Sequence, residues 1–244
     1  MSHIHIDVEN LIYAYEKDHQ VLKDISFFAE EHDAIGVVGA NGAGKSTLLK
    51  LLVGLDLNFK GSIRVEEIPL EKETLGKIRE RMGYVFQDSE AQLFMTTVEE
   101  DVAFAPRNYG LSEGEVEKRV TYALEKVHIE HLRKKPIYKM SGGEKKLASI
   151  ATILSMTPDI ILMDEPSVAL DPKNRRNLIN ILNEFDHLKI IASHDLDFIM
   201  DTCNRVILLD GGEIVESGST DEILKNEELL EMHGLELPLS LYRK

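Results

Sequence analysis

The strongest constraint on this chain is a glycine-rich segment, residues 39–47, with the sequence GANGAGKST. This pattern is typical of a phosphate-binding loop that ends in a lysine and a serine. A short apolar run, residues 34–38, comes directly before it, and a run compatible with a helix, residues 48–53, follows. The sequence therefore predicts a buried strand, a phosphate-binding loop and a helix. A glycine-rich turn before a helix is the alternative, but it would not require the Lys45–Ser46 pair.

Each part of this segment has a physical role in binding phosphate. Glycines let the backbone curl so that successive N–H groups point at phosphate oxygens, and the following helix adds the partial positive charge of its N-terminus. We expect Lys45 to reach the β- and γ-phosphates and the Ser46 hydroxyl to bind Mg²⁺. The predicted nucleotide-binding residues of the loop are Gly39, Asn41, Gly42, Ala43, Gly44, Lys45, Ser46 and Thr47.

Three further apolar runs without alternation predict strands that are buried on both faces of a sheet. They are residues 160–163, 190–192 and 206–209. Amphipathic helical patterns lie between them, which predicts an α/β fold of the phosphate-loop NTPase (RecA-like) class, with a mainly parallel sheet covered on both faces. The alternating residues Ile4, Ile6 and Val8 predict a half-buried strand, part of a small antiparallel β region near the N-terminus.

Two helix starts are marked by capping residues. Asp171 is a predicted N-cap with Pro172 at the first helical position, and Ser112 has Glu115 in the spacing of a capping box. The second of these helices lies in a segment with several helical stripes and no convincing buried strand, residues 88–157.

These patterns predict a single domain, residues 1–244, with a helical insertion. Its nucleotide-binding core is expected to comprise residues 1–87 and 158–244, and its helical subdomain residues 88–157.

The net charge and the apolar runs argue against three other classes of protein: nucleic-acid-binding, secreted and membrane-spanning proteins. The chain has 43 acidic and 28 basic residues, a net charge of −15, which argues against binding to nucleic acid because phosphate contacts need a basic face. Residues 1–7 show no basic segment followed by a long apolar one, so we expect no signal peptide. No apolar run approaches the ~20 residues needed to span a bilayer. We expect an intracellular protein that reaches a membrane only through a partner.

The buried run at 160–163 ends in two carboxylates, Asp164 and Glu165. Phosphate-loop enzymes place a carboxylate at such a strand end to hold the metal, here Asp164. Glu165 follows at the sheet edge where ligands of these folds bind, and it could accept a proton from an attacking water. A solvated acidic pair is the alternative, which the phosphate loop makes less favourable.

A second glycine pair, in Ser141-Gly142-Gly143-Glu144-Lys145, precedes an amphipathic stretch. Alone it is a weak signal, because a capped loop has the same composition, but it lies 23 residues before Asp164. With the phosphate loop, the Asp-Glu pair, residues 167–171 (SVALD) and His194, its order and spacing resemble the ATP-binding cassette (ABC) family. The resemblance extends from about residue 4 to residue 225.

The resemblance implies binding and hydrolysis of ATP with Mg²⁺, and it assigns roles to matching positions. Tyr15 resembles the aromatic residue that stacks on adenine, with Tyr13 a less favoured candidate and a core tyrosine the alternative. His194 resembles the γ-phosphate contact that acts with the catalytic Glu165. The metal-binding residues it implies are Ser46, Gln87 and Asp164.

The same resemblance implies a dimer. In this family, the segment matching Ser141, Gly142 and Gly143 of one subunit binds the ATP held by the phosphate loop of the other. Asp171 resembles the residue that crosses the dimer interface, and Gln87 the residue that links the core to the helical insertion.

Two segments, residues 86–94 and 97–104, resemble those of energy-coupling-factor ATPases, which drive import of vitamins or of cobalt and nickel ions. This implies a second ATPase subunit, identical or different, and a membrane subunit that docks near Gln87–Phe104, at the cytoplasmic face of the membrane. We expect the apolar residues of this segment (Leu93, Phe94, Val98 and Phe104) to receive a helix of the membrane subunit, and Glu99, Glu100 or Asp101 to meet its basic residues. Packing of the apolar residues in the core is the alternative. A soluble ABC protein of translation or DNA repair is one alternative, although those usually carry two cassettes or a long coiled coil. A regulator that binds ATP without turnover is another, which the presence of Glu165 disfavours.

Two residues depart from the family pattern. Glu144 stands where glutamine is usual, and Leu147 where arginine is common. A glutamate near a triphosphate is unfavourable unless it points away, so these changes could weaken the Ser-Gly-Gly side and give a heterodimer two unequal sites. Leu147 also fits the apolar stripe, which explains it by packing alone.

Overall fold

The computed structural model describes residues 4–16 and 19–242; residues 1–3, used in the signal-peptide prediction, lie outside the described residues. The strands of this part of the chain are β1 (His5–Glu16), β2 (His19–Glu30), β3 (Ala34–Val38), β4 (Lys60–Val65), β5 (Ile68–Pro69), β6 (Met82–Val85), β7 (Ile160–Asp164), β8 (Leu188–Ala192), β9 (Arg205–Asp210) and β10 (Glu213–Ser219). The α-helices are α1 (Lys45–Leu52), α2 (Leu75–Arg81), α3 (Val98–Asn108), α4 (Glu113–Lys126), α5 (Gly142–Leu154), α6 (Pro172–Glu184), α7 (Leu196–Thr202), α8 (Thr220–Leu224) and α9 (Glu227–Met232).

The main sheet has the strand order β10-β9-β3-β8-β7-β6. Its strands are parallel except for the β9–β10 pair, which is antiparallel. Ile35 and Val37 of β3 face one apolar cluster, whereas Ala34 and Val38 face the other. This two-sided burial explains why the predicted strands at β3, β7, β8 and β9 lack alternation. The α/β prediction is therefore confirmed.

A second, antiparallel sheet with the order β2-β1-β4-β5 contains the predicted N-terminal strand. Its apolar face shares one cluster with α1 and with one face of the main sheet. This packing brings the end of β1 to the start of α1, where the Tyr15 hydroxyl lies 3.0 Å from Thr47 Oγ1.

Residues 88–157 form helices, as predicted, with α3, α4 and α5 packed against one another. Ser112 caps α4 by accepting a hydrogen bond from the Glu115 N–H. The reciprocal half of the expected capping box is replaced, because the Glu115 carboxylate accepts from Arg119 instead. The division of the chain at residues 88 and 157 remains a prediction.

The parallel strands place three loops at one edge of the main sheet, because β3, β8 and β7 are adjacent and end on the same side. Ligands of open α/β sheets bind at this carboxyl edge. Over residues 4–16 and 19–242, no helix combines the length and the hydrophobicity that crossing a bilayer requires.

Candidate active site

The phosphate loop leaves the first turn of α1 free to bind an anion. Gly44 is the N-cap of α1 with φ 105, and no side chain caps this helix or places an acid in its first turn. The left-handed conformation favours glycine, and a Cβ at this position would lie 2.7 Å from Leu22 Cδ2. The backbone N–H groups of the first turn therefore remain available, as phosphate binding requires.

Lys45 extends back along the same loop. Its Nζ donates to the carbonyl oxygens of Gly39 (2.7 Å) and Ala40 (3.1 Å). Burial lowers the pKa of Lys45, while the charges of Glu165 and Asp164 act in the opposite direction. An ammonium group held by loop carbonyls can exchange one of them for a phosphate oxygen, which is a stronger, charge-assisted partner.

Ser46 and Asp164 meet at the end of β7. The Ser46 hydroxyl donates to Asp164 Oδ1 at 2.9 Å, and Asp164 is buried. Burial raises the pKa of Asp164; the Ser46 hydrogen bond opposes this effect, and the Glu165 charge adds to it. Hydroxyl and carboxylate oxygens are donors that suit Mg²⁺, which also takes water and phosphate oxygens as ligands. Within the described residues, no group of three or more His, Cys, Asp or Glu side chains could hold a metal ion. This agrees with a site to which the protein contributes few metal ligands.

Glu165 has a left-handed backbone, with φ 47, a conformation that non-glycine residues adopt mainly where the surroundings hold it. Its N–H donates to the Ala192 carbonyl at 2.9 Å. Its carboxylate accepts from Ser193 Oγ and from the His194 N–H, both at 3.1 Å, and His194 Nδ1 lies 2.8 Å from Oε2. The end of β8 thus orients this carboxylate. Ser193 was not predicted; its position beside His194 was the only available signal.

These residues surround a cleft of about 470 Å³, which we call the nucleotide cleft. Its lining consists of Tyr15, His19, Val21, Asn41, Gly42, Ala43, Gly44, Lys45, Ser46, Thr47, Gln87 and Glu165. Sequence reasoning missed His19 and Val21, because no motif marks them and only the return of β2 beside the loop brings them there.

The structure separates the two candidate tyrosines. Tyr15 is 61% exposed and lines the nucleotide cleft. Tyr13 is buried, and its hydroxyl donates to Asp56 Oδ2 at 2.7 Å. The two rings meet edge to face, with centroids 5.0 Å apart. Tyr15 is therefore the residue whose face a base could reach.

The predicted residues of the dimer side do not lie in the nucleotide cleft. Ser141, Gly142, Gly143 and Asp171 are absent from its described lining. Ser141 caps α5, and Asp171 caps α6 by accepting from the Asn174 N–H at 2.8 Å. One chain therefore brings together the phosphate loop, Gln87 and Glu165, with Asp164 beneath them and His194 bound to Glu165, but leaves the Ser-Gly-Gly segment apart.

The two departures from the family pattern have local explanations. The Glu144 carboxylate accepts from the Ser141 N–H (2.7 Å) and from Lys135 Nζ (2.9 Å). The Lys135 bond, followed by that of Ser141, lowers the pKa of Glu144. Leu147 is buried in the apolar core. Glu144 is thus paired with a cation and caps its own helix, while packing accounts for Leu147.

A parallel sheet whose strand leads into a glycine loop with Lys45 and Ser46, beside a strand ending in Asp164, defines a phosphate-loop NTPase. Comparison with known proteins narrows this class. A family model described as ABC transporter matches residues 22–168. A putative ABC transporter ATP-binding protein of Geobacter sulfurreducens is 47% identical over 241 residues, covering 99% of this chain and 97% of the relative.

Two further similarities are to proteins whose names describe a particular transporter. An energy-coupling factor transporter ATP-binding protein of Carboxydothermus hydrogenoformans is 38% identical to this chain. The alignment spans 96% of this chain and 87% of the relative. A solved structure from Clostridium perfringens, described as part of the ABC transporter complex cbiONQ, superposes with a TM-score of 0.80 at 34% identity, covering 93% of each chain. The chain belongs to the ABC transporter family of ATP-binding proteins. It is an ATPase that uses ATP and Mg²⁺.

Proposed function

We propose that this chain is the ATPase subunit of an importer of the energy-coupling-factor type, which takes up a cobalt or nickel ion or a vitamin through membrane partners. The observation that carries the proposal is the arrangement of residues 87–104. Gln87 lines the nucleotide cleft, and a few residues further on Phe94 is exposed. The similarity to an energy-coupling factor ATPase and to a protein of the cbiONQ complex supports it.

The chemistry assigned to the site follows from its geometry. Mg²⁺, when bound, neutralises developing charge on the phosphate oxygens. Ser46, Asp164 and Gln87 are the residues that would hold it. Lys45 binds phosphate, and Glu165 takes the proton of the attacking water, since its carboxylate lines the nucleotide cleft and retains free lone pairs.

The remaining roles concern the base and the γ-phosphate. The exposed ring of Tyr15 offers a stacking face for adenine. His194 is not part of the described lining of the nucleotide cleft, but its Nδ1 is held by Glu165, which is; we assign its other ring nitrogen to the γ-phosphate.

The proposal includes a dimer, homomeric or heteromeric. Ser141, Gly142, Gly143 and Asp171 do not line the cleft of their own chain. In the proposed assembly, the Ser-Gly-Gly segment closes the nucleotide cleft of the second ATPase subunit. The assembled protein would lie at the cytoplasmic face of the membrane, held there by its partners.

The structure changes the predicted docking surface in detail. Of its four apolar residues, Leu93 and Val98 are buried in the core, whereas Phe94 is 64% exposed and packs edge to face on Phe104, with centroids 4.7 Å apart. The exposed Phe94 and the half-buried Phe104, rather than all four apolar residues, are available to a helix of a membrane subunit.

The three acidic residues expected to meet a basic partner are engaged within the chain. Asp101 is buried and accepts from the N–H groups of Phe94 (3.2 Å) and Met95 (3.1 Å). Glu100 accepts from the Thr97 N–H at 3.0 Å, and Glu99 pairs with Arg133 and Lys134. These carboxylates hold α3 in place, so the docking proposal rests on Phe94 and Phe104.

The test of the importer is Phe94→Ser in the complex that the chain forms with a membrane partner. We expect ATP-dependent uptake of cobalt, nickel or vitamin to be lost while the isolated subunit keeps its ATPase activity and melting temperature, because Phe94 is exposed. Tyr122→Ser, which removes an exposed aromatic residue of α4, is the matched control and should transport normally. Unimpaired uptake by Phe94→Ser, or no association with a membrane protein, would contradict the proposal.

A further inference from the structure

A buried lysine lies beside the nucleotide cleft, and the roles described so far leave it unused. Lys146 lies in the second turn of α5 and is only 2% exposed. Its Nζ donates to the carbonyl oxygens of Gln87 (2.7 Å) and Phe86 (3.0 Å). The signature helix, our name for α5, which Ser141 caps, is thus bonded through Lys146 to the backbone of Phe86 and Gln87, which we call the Gln87 loop.

A second side chain holds the same loop to the same helix. Gln92 accepts from the Phe86 N–H at 3.1 Å and donates to the Ser149 carbonyl and Thr152 Oγ1, both at 2.8 Å. The N–H and the C=O of Phe86 are therefore both bound by side chains attached to the signature helix. The two peptide groups that flank Phe86 therefore have little freedom to rotate.

The chemistry of Lys146 indicates a positioning role. Burying a charged group is costly unless its donors are bound, and burial lowers the pKa of Lys146. An apolar side chain of similar length could fill the same space without that cost. What only the cation supplies is a pair of hydrogen bonds to two consecutive carbonyls, which fixes the direction in which the chain leaves β6.

We propose that Lys146 is a positioning residue that fixes the backbone at Gln87 and so aims the Gln87 side chain into the nucleotide cleft. Because Ser141 caps the helix that contains Lys146, the Ser-Gly-Gly segment and the Gln87 loop move together. When Ser141 of one subunit contacts the ATP bound to the second subunit, the position of Gln87 at the metal site of the first subunit then changes as well. This inference rests on the proposed site, in which Gln87 contacts Mg²⁺.

The test is a double-mutant cycle on the purified full chain with Lys146→Met, Gln87→Ala and the combined variant. Methionine fills the space of the lysine but offers no donor. We expect Lys146→Met to raise the Mg²⁺ concentration for half-maximal turnover by about 10-fold to 100-fold, the range found when the support of a metal ligand is lost. Since both changes disturb the same contact, the combined variant should be no worse than Gln87→Ala alone.

Lys189→Met is the matched control. Lys189 is also buried and donates to a backbone carbonyl, that of Phe185 at 3.0 Å, but it lies outside the nucleotide cleft. It should lose melting temperature without any change in Mg²⁺ dependence. Lys146→Gln, which retains one donor group, should shift the Mg²⁺ dependence in the same direction by less, and it serves where methionine prevents folding.

Two results would overturn the inference. One is a Lys146→Met protein that loses only melting temperature, as Lys189→Met does; the other is an additive cycle, in which the two changes act independently. A silent Gln87→Ala would overturn this inference and the proposed metal role of Gln87 together. Failure to find a membrane partner affects only the importer proposal, because the cycle is measured on the isolated ATPase.

Discussion

The phosphate loop and the Ser-Gly-Gly segment both lead a glycine-containing loop into a helix, yet the two helices begin differently. At α1, the N-cap is Gly44, which has no side chain to bind the free N–H groups. At α5, the Ser141 hydroxyl accepts from the Glu144 N–H, and the Glu144 carboxylate accepts from the Ser141 N–H. The first helix start is open and lies in a cleft, and the second is capped by its own residues.

The difference shows how two similar sequence patterns support different tasks. An uncapped N-terminus keeps its donors for a ligand, so α1 can bind a triphosphate within one chain. A capping box satisfies two of those donors and adds a negative charge. The start of α5 therefore makes a weaker anion site, which we expect to act only when a second subunit presents ATP.

The largest expected effect is on the chemical step at the phosphate-loop side. Glu165→Gln keeps the size of the side chain and one of the two acceptor oxygens that bind the Ser193 hydroxyl and the His194 N–H, but it cannot take a proton. We expect turnover to fall by about 10²- to 10⁴-fold, with ATP affinity nearly unchanged, measured by phosphate release and by nucleotide titration. A variant that retains more than about a tenth of wild-type turnover would show that Glu165 is not the base.

Next in size is a change in binding by the open helix start. Lys45→Ala removes a charge-assisted contact to phosphate, so the Kd for ATP should rise by about 10-fold to 100-fold. Isothermal titration of the isolated chain measures it, with Lys189→Ala as a control that removes a buried lysine elsewhere. Equal affinity in Lys45→Ala and wild type would mean that this loop is not the phosphate site.

At the capped start of α5, a substitution should lower turnover and stability but leave ATP binding by the isolated chain unchanged. Ser141→Ala removes the N-cap, which lowers the free energy of unfolding by about 1 kcal/mol, and it removes one hydrogen bond to the second subunit's ATP. Turnover should fall by about fivefold, as expected for one hydrogen bond of about 1 kcal/mol. The isolated chain should bind ATP as wild type does. A higher Kd for ATP in the isolated variant would show that the start of α5 also binds ATP within one chain, which would contradict the difference between the two helix starts.

The smallest effect is expected at Glu144. Glu144→Gln keeps the capping geometry, because glutamine also serves at this position, but removes the negative charge and the Lys135 pair. We expect a rise in turnover of less than about threefold and a loss of stability of about 0.5 kcal/mol, as for other half-exposed pairs. A large change in either quantity would contradict the view that Glu144 points away from ATP.

The two regions also differ in how well the sequence predicted them. The phosphate loop, the strand ending in Asp164 and the cap at Asp171 were predicted correctly as local structure, because each is a continuous stretch whose pattern is set by neighbours along the chain. Strand β6, although buried, was not predicted. With four residues, Met82–Val85, it is too short to show a period of its own.

The sequence also could not predict which of two neighbouring apolar or aromatic residues is buried. Leu93 and Phe94 are adjacent and both apolar, but the first is buried and the second exposed. Tyr13 and Tyr15 are two residues apart on one strand, which gives them the same expected face, yet only Tyr15 lies on the nucleotide cleft. In both pairs, what packs against the segment decides which residue is exposed.

The sequence by itself determined the fold class, the phosphate loop and the residues of the Asp-Glu pair, because strand burial, helix capping and loop curvature are written in contiguous residues. Only the tertiary structure decided that Ser193 orients Glu165, that Lys135 neutralises Glu144 and that Lys146 holds Gln87. The physical reason is that these contacts join separate segments of the chain, with the paired residues 9, 28 and 59 positions apart. Their partners are chosen by strand order and helix packing, which no local pattern records.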